Sequence, residues 1–125
     1  MKAFLDTHAV VFLWEAERER FGAAALDLLD RSALFVSPIV RLELALLHEI
    51  GRIAPKADEI LGALAREAGL VESDDRLAEV VRESLRHPWT RDPFDRVIVA
   101  TAALHRAPLL TRDDRIRAHF EHAVW

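Results

Sequence analysis

Cysteine does not occur in this chain of 125 residues, which removes disulfides, thiolate metal sites and cysteine nucleophiles. Glycine is scarce as well. There are four, and none follows the first apolar strand, where a dinucleotide-binding turn needs a glycine-rich loop. Lysine occurs only at Lys2 and Lys56. Neither is well placed to serve a receiver-like phosphoacceptor or an aspartyl-phosphate hydrolase, both of which employ a lysine near the site. No apolar run approaches the roughly 18 residues of a membrane span, and no basic–apolar–cleavage pattern opens the chain. The expectation is a cytoplasmic protein with no membrane association.

What is present is an ordinary globular composition, 51% hydrophobic and 30% charged, with a length that fits one compact domain over residues 1–125. The net charge of −4 argues against a generally basic nucleic-acid coat. It leaves room for a local basic strip: from Arg86 to Arg117 there are seven arginines against four aspartates. No repeat, low-complexity tract or linker interrupts the chain. Short apolar segments, KAFLD, ALFVS, GLVES, APLLT and the closing HAVW, alternate with helical stretches. Those stretches run over Thr7–Glu17, Arg20–Arg31, Pro38–Ile50, Pro55–Gly69, Asp74–Arg86 and from Pro93 onward, with a last short turn after Asp113. That alternation predicts a parallel sheet covered on both faces, with ligands beyond the carboxyl ends of its strands.

Carboxylates recur at that edge. In RDPFDRVIVATA, Asp92 is the expected N-cap of a helix whose first position is Pro93. Asp95 is not explained by capping: it shares a stripe with Val99 and Ala102 and so points toward the packed face. Asp6 follows strand one, where it could cap the next helix. Asp113 follows the late strand, with a solvent-exposed Asp114 beside it. On the helix over 38–50, Glu43 falls on the stripe of Ile39, Leu46 and Ile50, opposite Arg41, His48 and Arg52. A buried glutamate or aspartate needs a partner. Two like charges ~4 Å apart repel by ~4 kcal/mol at an effective dielectric of about 20, and a hard divalent cation with oxygen ligands, Mg²⁺ or Mn²⁺, relieves this. Setting Asp6, Glu43, Asp95 and Asp113 aside leaves 17 acids of the 21 against 17 bases, so the excess negative charge equals the expected site. Carboxylate-held divalent ions beside arginines suit phosphodiester hydrolysis. Arg91, Arg96, Arg112 and Arg115 are the candidates for holding the phosphate backbone. His8 and Trp89 could stack on a base, but a packed core or hinge role is the expectation for both.

FLDTH, the glutamate in VRLELALL, RDPFDRVIVATA and PLLTRDD, with the chain ending in VW, together resemble the PIN-domain nucleases. The resemblance is greatest to the VapC-type toxins of bacterial toxin–antitoxin pairs, in family order and over nearly the whole sequence. It implies a PIN-like three-layer α/β/α sandwich with a central parallel sheet of four to five strands. It carries the family's catalytic and metal-holding acids onto Asp6, Glu43, Asp95 and Asp113, with Asp92, Thr7 and Thr111 in supporting or capping roles. By the same resemblance the protein is an endoribonuclease using Mg²⁺ or Mn²⁺. Its expected partners are an RNA substrate, a VapB-like antitoxin and a second copy of itself, assembling as a homodimer and as a heterotetramer or larger with the antitoxin. The leucine-, isoleucine- and alanine-rich helices over 38–50 and 55–69 offer either a groove for an amphipathic partner segment or simply core. The alternative of a different class is a non-catalytic PIN-fold module that binds a partner protein or RNA. Loss of one or more acids would favour it, and all four are present.

Overall fold

The computed structural model describes residues 1–125. The short apolar segments become strands: β1 (Lys2–Leu5), β2 (Ala33–Val36), β3 (Val71–Glu72), β4 (Leu109–Leu110) and β5 (Ala123–Val124). They form one sheet in the order β3-β2-β1-β4-β5, with every pair parallel. Parallel strands have helices on both sides and so carry apolar residues in sequence; Ala3, Phe4, Leu5, Leu109 and Leu110 are all buried. The helices are α1 (Thr7–Trp14), α2 (Ala23–Arg31), α3 (Ile39–Glu49), α4 (Ala57–Ala68), α5 (Leu77–Ser84), α6 (Pro93–Leu104) and α7 (Asp114–His119). Seven helices flanking five parallel strands make the expected α/β/α sandwich, around a hydrophobic core of 26 buried residues. No helix is long and apolar enough to cross a membrane.

One pair of strands sets the position of the acidic residues. β1 lies at the centre with β4 beside it, Phe4 opposite Leu109 and Leu5 opposite Leu110. The Asp6 N–H continues the ladder by donating to the Leu110 carbonyl at 3.1 Å. The residues just past both strands therefore emerge side by side at the carboxyl edge.

Several helices are shorter than the sequence pattern predicts. α1 ends at Trp14 because Ala16 takes a left-handed φ of 57°. The next helix starts at Ala23 because Arg18–Arg20 form a separate 3₁₀ turn and Phe21 is extended. α5 begins at Leu77 rather than Asp74, since Asp75 is held in the preceding loop by His105 Nε2 at 2.8 Å.

α3 corrects the predicted stripe. Its core face carries Val40 and Leu44, both fully buried, whereas Leu46 and Ile50 are 40% and 68% exposed. Apolar residues cover more of this helix than its core face, so periodicity alone picks the wrong side. The helix over 57–68 sends Ile60, Leu61 and Leu64 into the core, so its leucines are not groove. The exposed apolar surface lies elsewhere, on Leu42 and Leu46 of α3 with Ile50 just past its end, and on Leu77, Val81 and Leu85 near α5. Leu42 and Leu77 share a shallow apolar cavity of about 410 Å³ with Ile39, Val80 and Val97.

Candidate active site

Four chain segments deliver acidic side chains to one cavity of about 290 Å³ at the carboxyl edge of the sheet. Asp6 leaves β1, Glu43 stands on α3, Asp95 sits in the first turn of α6 and Asp113 follows β4. Thr7, His8, Asp92, Arg112 and the apolar Ile98 complete the lining. Three of these aspartates also cap helices, because an aspartate just before a helix accepts from the free N–H groups of its first turn. Asp6 Oδ1 accepts from Ala9 N at 2.8 Å, Asp92 Oδ1 from Phe94 N at 2.8 Å, and Asp113 Oδ1 from Ile116 N at 2.9 Å. For Asp6 and Asp113, capping and exposure to the cavity are compatible roles, since each carboxylate has a second oxygen.

Asp6 is the buried member, 7% exposed. The Thr111 hydroxyl donates to its Oδ2, and the same hydroxyl accepts from Asp113 N at 3.1 Å, which ties both acids to one threonine. Burial pushes the Asp6 carboxyl up from the usual range. The Thr111 hydroxyl, the Ala9 N–H and the charge of His8 work against that rise, and Glu43 adds to it. Glu43 is half-buried at the cavity wall rather than inside an apolar stripe, and its Oε1 accepts from the Thr7 hydroxyl. Asp95 is likewise half-buried and opens to the cavity instead of packing against a neighbour. Its carboxyl is pushed up to about 7, first by burial and then by the charges of Asp92, Asp113, Glu43 and Asp6. Asp113 is exposed.

Of the four arginines expected to hold phosphate, Arg112 alone lines the cavity. Arg96 donates through Nε to the Thr90 carbonyl at 2.7 Å, so it pins the loop before α6. Arg91 and Arg115 are exposed outside the lining. Proximity in sequence says nothing about the direction in which each side chain leaves its element. His8 is exposed and faces the cavity rather than packing internally as expected, whereas Trp89 stacks on His119 with ring centres 5.1 Å apart. No local pattern announces the Arg41 cluster, in which one guanidinium holds Glu72 at 2.7 Å and also bonds Asp58.

The cavity chemistry fits a hard divalent cation. All its acidic donors are carboxylate oxygens, and Arg112 is the one permanent positive charge among five acids. No group of three or more His, Cys, Asp or Glu side chains is drawn together so as to hold an ion by itself. An Mg²⁺ ion taken up here would use one or two of these carboxylates directly and keep several waters.

The sequence matches the PIN domain over residues 3–120. Ribonuclease VapC22 of Mycobacterium tuberculosis is 36% identical over 118 residues, which are 92% of this chain and 89% of that protein. Among solved structures, VapBC2 of Rickettsia felis, bound to a DNA fragment from its promoter, gives a TM-score of 0.69 at 15% identity. That match covers 99% of this chain and 96% of the other. A toxin–antitoxin complex from Klebsiella pneumoniae gives 0.65 at 20% identity, covering 98% and 96%. At these identities the structural likeness speaks for the fold.

Proposed function

Because this chain belongs to the PIN-domain family, we propose that residues 1–125 form a single PIN domain acting in the cytoplasm as a divalent-metal-dependent endoribonuclease, the toxin of a VapBC-type pair. The observation that carries the reading is the cavity lined by Asp6, Glu43, Asp95 and Asp113 with Arg112 beside them. The ribonuclease relative supports RNA as the substrate.

Asp6 and Asp95 would be the main ligands of Mg²⁺ or Mn²⁺, with Glu43 and Asp113 as further ligands or as bases orienting its water. The ion when bound would lower the pKa of a water and offset charge on the phosphate. Thr111 and the Ala9 N–H keep the Asp6 carboxylate aimed into the cavity, and Thr7 does the same for Glu43. Partners of this kind restrict a ligand to one orientation. Asp95 must give up the proton that its surroundings retain up to about pH 7. Arg112 presents a planar guanidinium that can take two phosphate oxygens at once. The exposed apolar residues of α3 and α5 support coverage by an antitoxin and by a second copy of the chain, since large exposed apolar patches mark interaction surfaces.

The test is cleavage of structured RNA by protein freed of any antitoxin. Cutting should require Mg²⁺ or Mn²⁺, stop with EDTA, leave 5′-phosphate and 3′-hydroxyl ends, and be lost in Asp95→Asn. Products ending in 2′,3′-cyclic phosphate would instead show attack by the ribose hydroxyl and overturn the reading.

A further inference from the structure

Arg112, the one arginine on the acidic cavity, is not free-standing. Its guanidinium carbon lies 4.9 Å from the centre of the Phe12 ring. A second guanidinium, that of Arg20, lies 4.5 Å from the same ring centre. Phe12 is buried, with its ring edge-on to Phe21 and Trp125 at 6.3 and 6.2 Å, so the ring is fixed and both arginines are placed relative to it. The two guanidinium carbons are at most 9.4 Å apart, the sum of the two distances. An aromatic face attracts each cation but does not neutralise it. The ring therefore holds two guanidinium groups close together, one on the lining of the acidic cavity and one outside it.

Arg20 and its neighbour Arg18 differ in how firmly they are engaged. Arg18 makes two bonds to Asp30, at 2.9 and 3.2 Å. Arg20 is paired to Glu17 at 3.0 Å, with side chains 43% and 36% exposed, an arrangement that stabilises little and opens readily.

We propose that Phe12 holds Arg112 and Arg20 as a two-point rail for the backbone of an RNA strand leaving the active site. Arg112 takes a phosphate at the cavity and Arg20 a phosphate further along the same strand. Arg20 is thus a substrate-binding residue and Phe12 a positioning residue. The inference rests on the nuclease reading for the identity of the strand. Contacts of this kind position the substrate without reading its sequence.

The test uses the full chain carrying Asp95→Asn, so that RNA is bound without being cut. Its affinity for a short oligouridine is measured by fluorescence anisotropy over a series of KCl concentrations. Each phosphate contact contributes about 0.7 to the slope of log K against log[salt] for a single strand, so Arg20→Gln should flatten the slope by about that amount, and Arg20→Lys should restore most of it. Phe12→Leu, which keeps the site apolar, should weaken binding while both arginines remain. In the cleaving parent, Arg20→Gln should raise KM several-fold and change kcat by less. An unchanged slope and an unchanged KM in Arg20→Gln would overturn the rail even where the parent cleaves normally. Should the parent fail to cleave with Mg²⁺, the nuclease reading falls, and the salt slope of Arg20→Gln still decides whether this arginine contacts the strand. Arg20 is exposed, so its variants fold whether or not Phe12→Leu does.

Discussion

Two clusters of charge in this molecule are built on opposite plans. Around Arg41, a guanidinium from α3 meets Glu72 of β3 and Asp58 of α4, so three elements are joined by charges of opposite sign. Glu72 holds the Arg41 guanidinium above its usual pKa. At the carboxyl edge of the sheet, carboxylates gather with Arg112 as the only guanidinium on the lining, and Asp95 is driven toward its neutral form. A cluster that serves stability satisfies its own charges. One that leaves like charges together gives up stability for binding, and perturbed carboxyls in a cleft are the signature of such sites.

Substitutions should separate the two plans. The largest effect is expected at Asp95: Asp95→Asn should lower the cleavage rate by at least about 100-fold, beyond the upper end of what loss of a supporting partner costs. It should also raise the melting temperature of the metal-free protein by removing repulsion. Cleavage kinetics and a thermal melt in EDTA check both halves, and a destabilised Asp95→Asn would break the comparison. Next, Thr111→Val should weaken Mn²⁺ binding and cleavage by about 10- to 100-fold, because Asp6 loses the hydroxyl that aims it. Mn²⁺ titration measures this directly.

The pH dependence has a definite sign. The Asp95 carboxyl is raised from an ordinary value of 3.8 to about 7 in the folded protein. Its cost to stability is absent below about pH 4, grows between there and about pH 7, and is complete above it. Metal-free protein should therefore lose stability as pH rises through that window, and Asp95→Asn should flatten the loss. Mn²⁺ affinity should move the other way, increasing as pH rises toward about 8, since the ion needs the carboxylate.

Arg41→Ala should cost about 1 kcal/mol, a value kept small because the arginine is 41% exposed and its pairs are screened by solvent. Cleavage should persist. The smallest effect belongs to Asp92→Asn, which preserves the α6 cap and should shift stability by less than about 0.5 kcal/mol, whereas Asp92→Ala should lose about 0.5–2 kcal/mol. Denaturant melts distinguish the two.

How far the sequence could be read depended on whether its signals were local. Asp92 before Pro93 announces the start of α6 by capping chemistry alone, and the structure begins that helix there. Apolar runs such as AFL and PLL disclosed a parallel sheet because strands covered on both faces need not alternate. α3 defeated the same kind of reading. With apolar residues at Ile39, Leu42, Leu46 and Ile50 as well as at Val40 and Leu44, it has no single apolar stripe to identify, and only tertiary packing selects one. The gathering of acids at one edge was legible as a consequence of topology. The partners of those acids, Thr7 for Glu43 and Thr111 for Asp6, depend on rotamers. Arg20 was out of reach altogether, because its contact with Phe12 depends on how the chain turns after Trp14.

The bond from Thr111 to Asp6 joins residues 105 positions apart in the chain, and this separation governs when the site can exist. Translation proceeds from the N-terminus. Asp6 leaves the ribosome well before Thr111, but it is not oriented until β4 has emerged and paired beside β1. Until then the chain has neither the Thr111 hydroxyl nor Asp113 and Arg112. A growing polypeptide therefore cannot hold Asp6 in place before β4 has been made. Only after that point do the acids that follow β1 and β4 meet in one cavity.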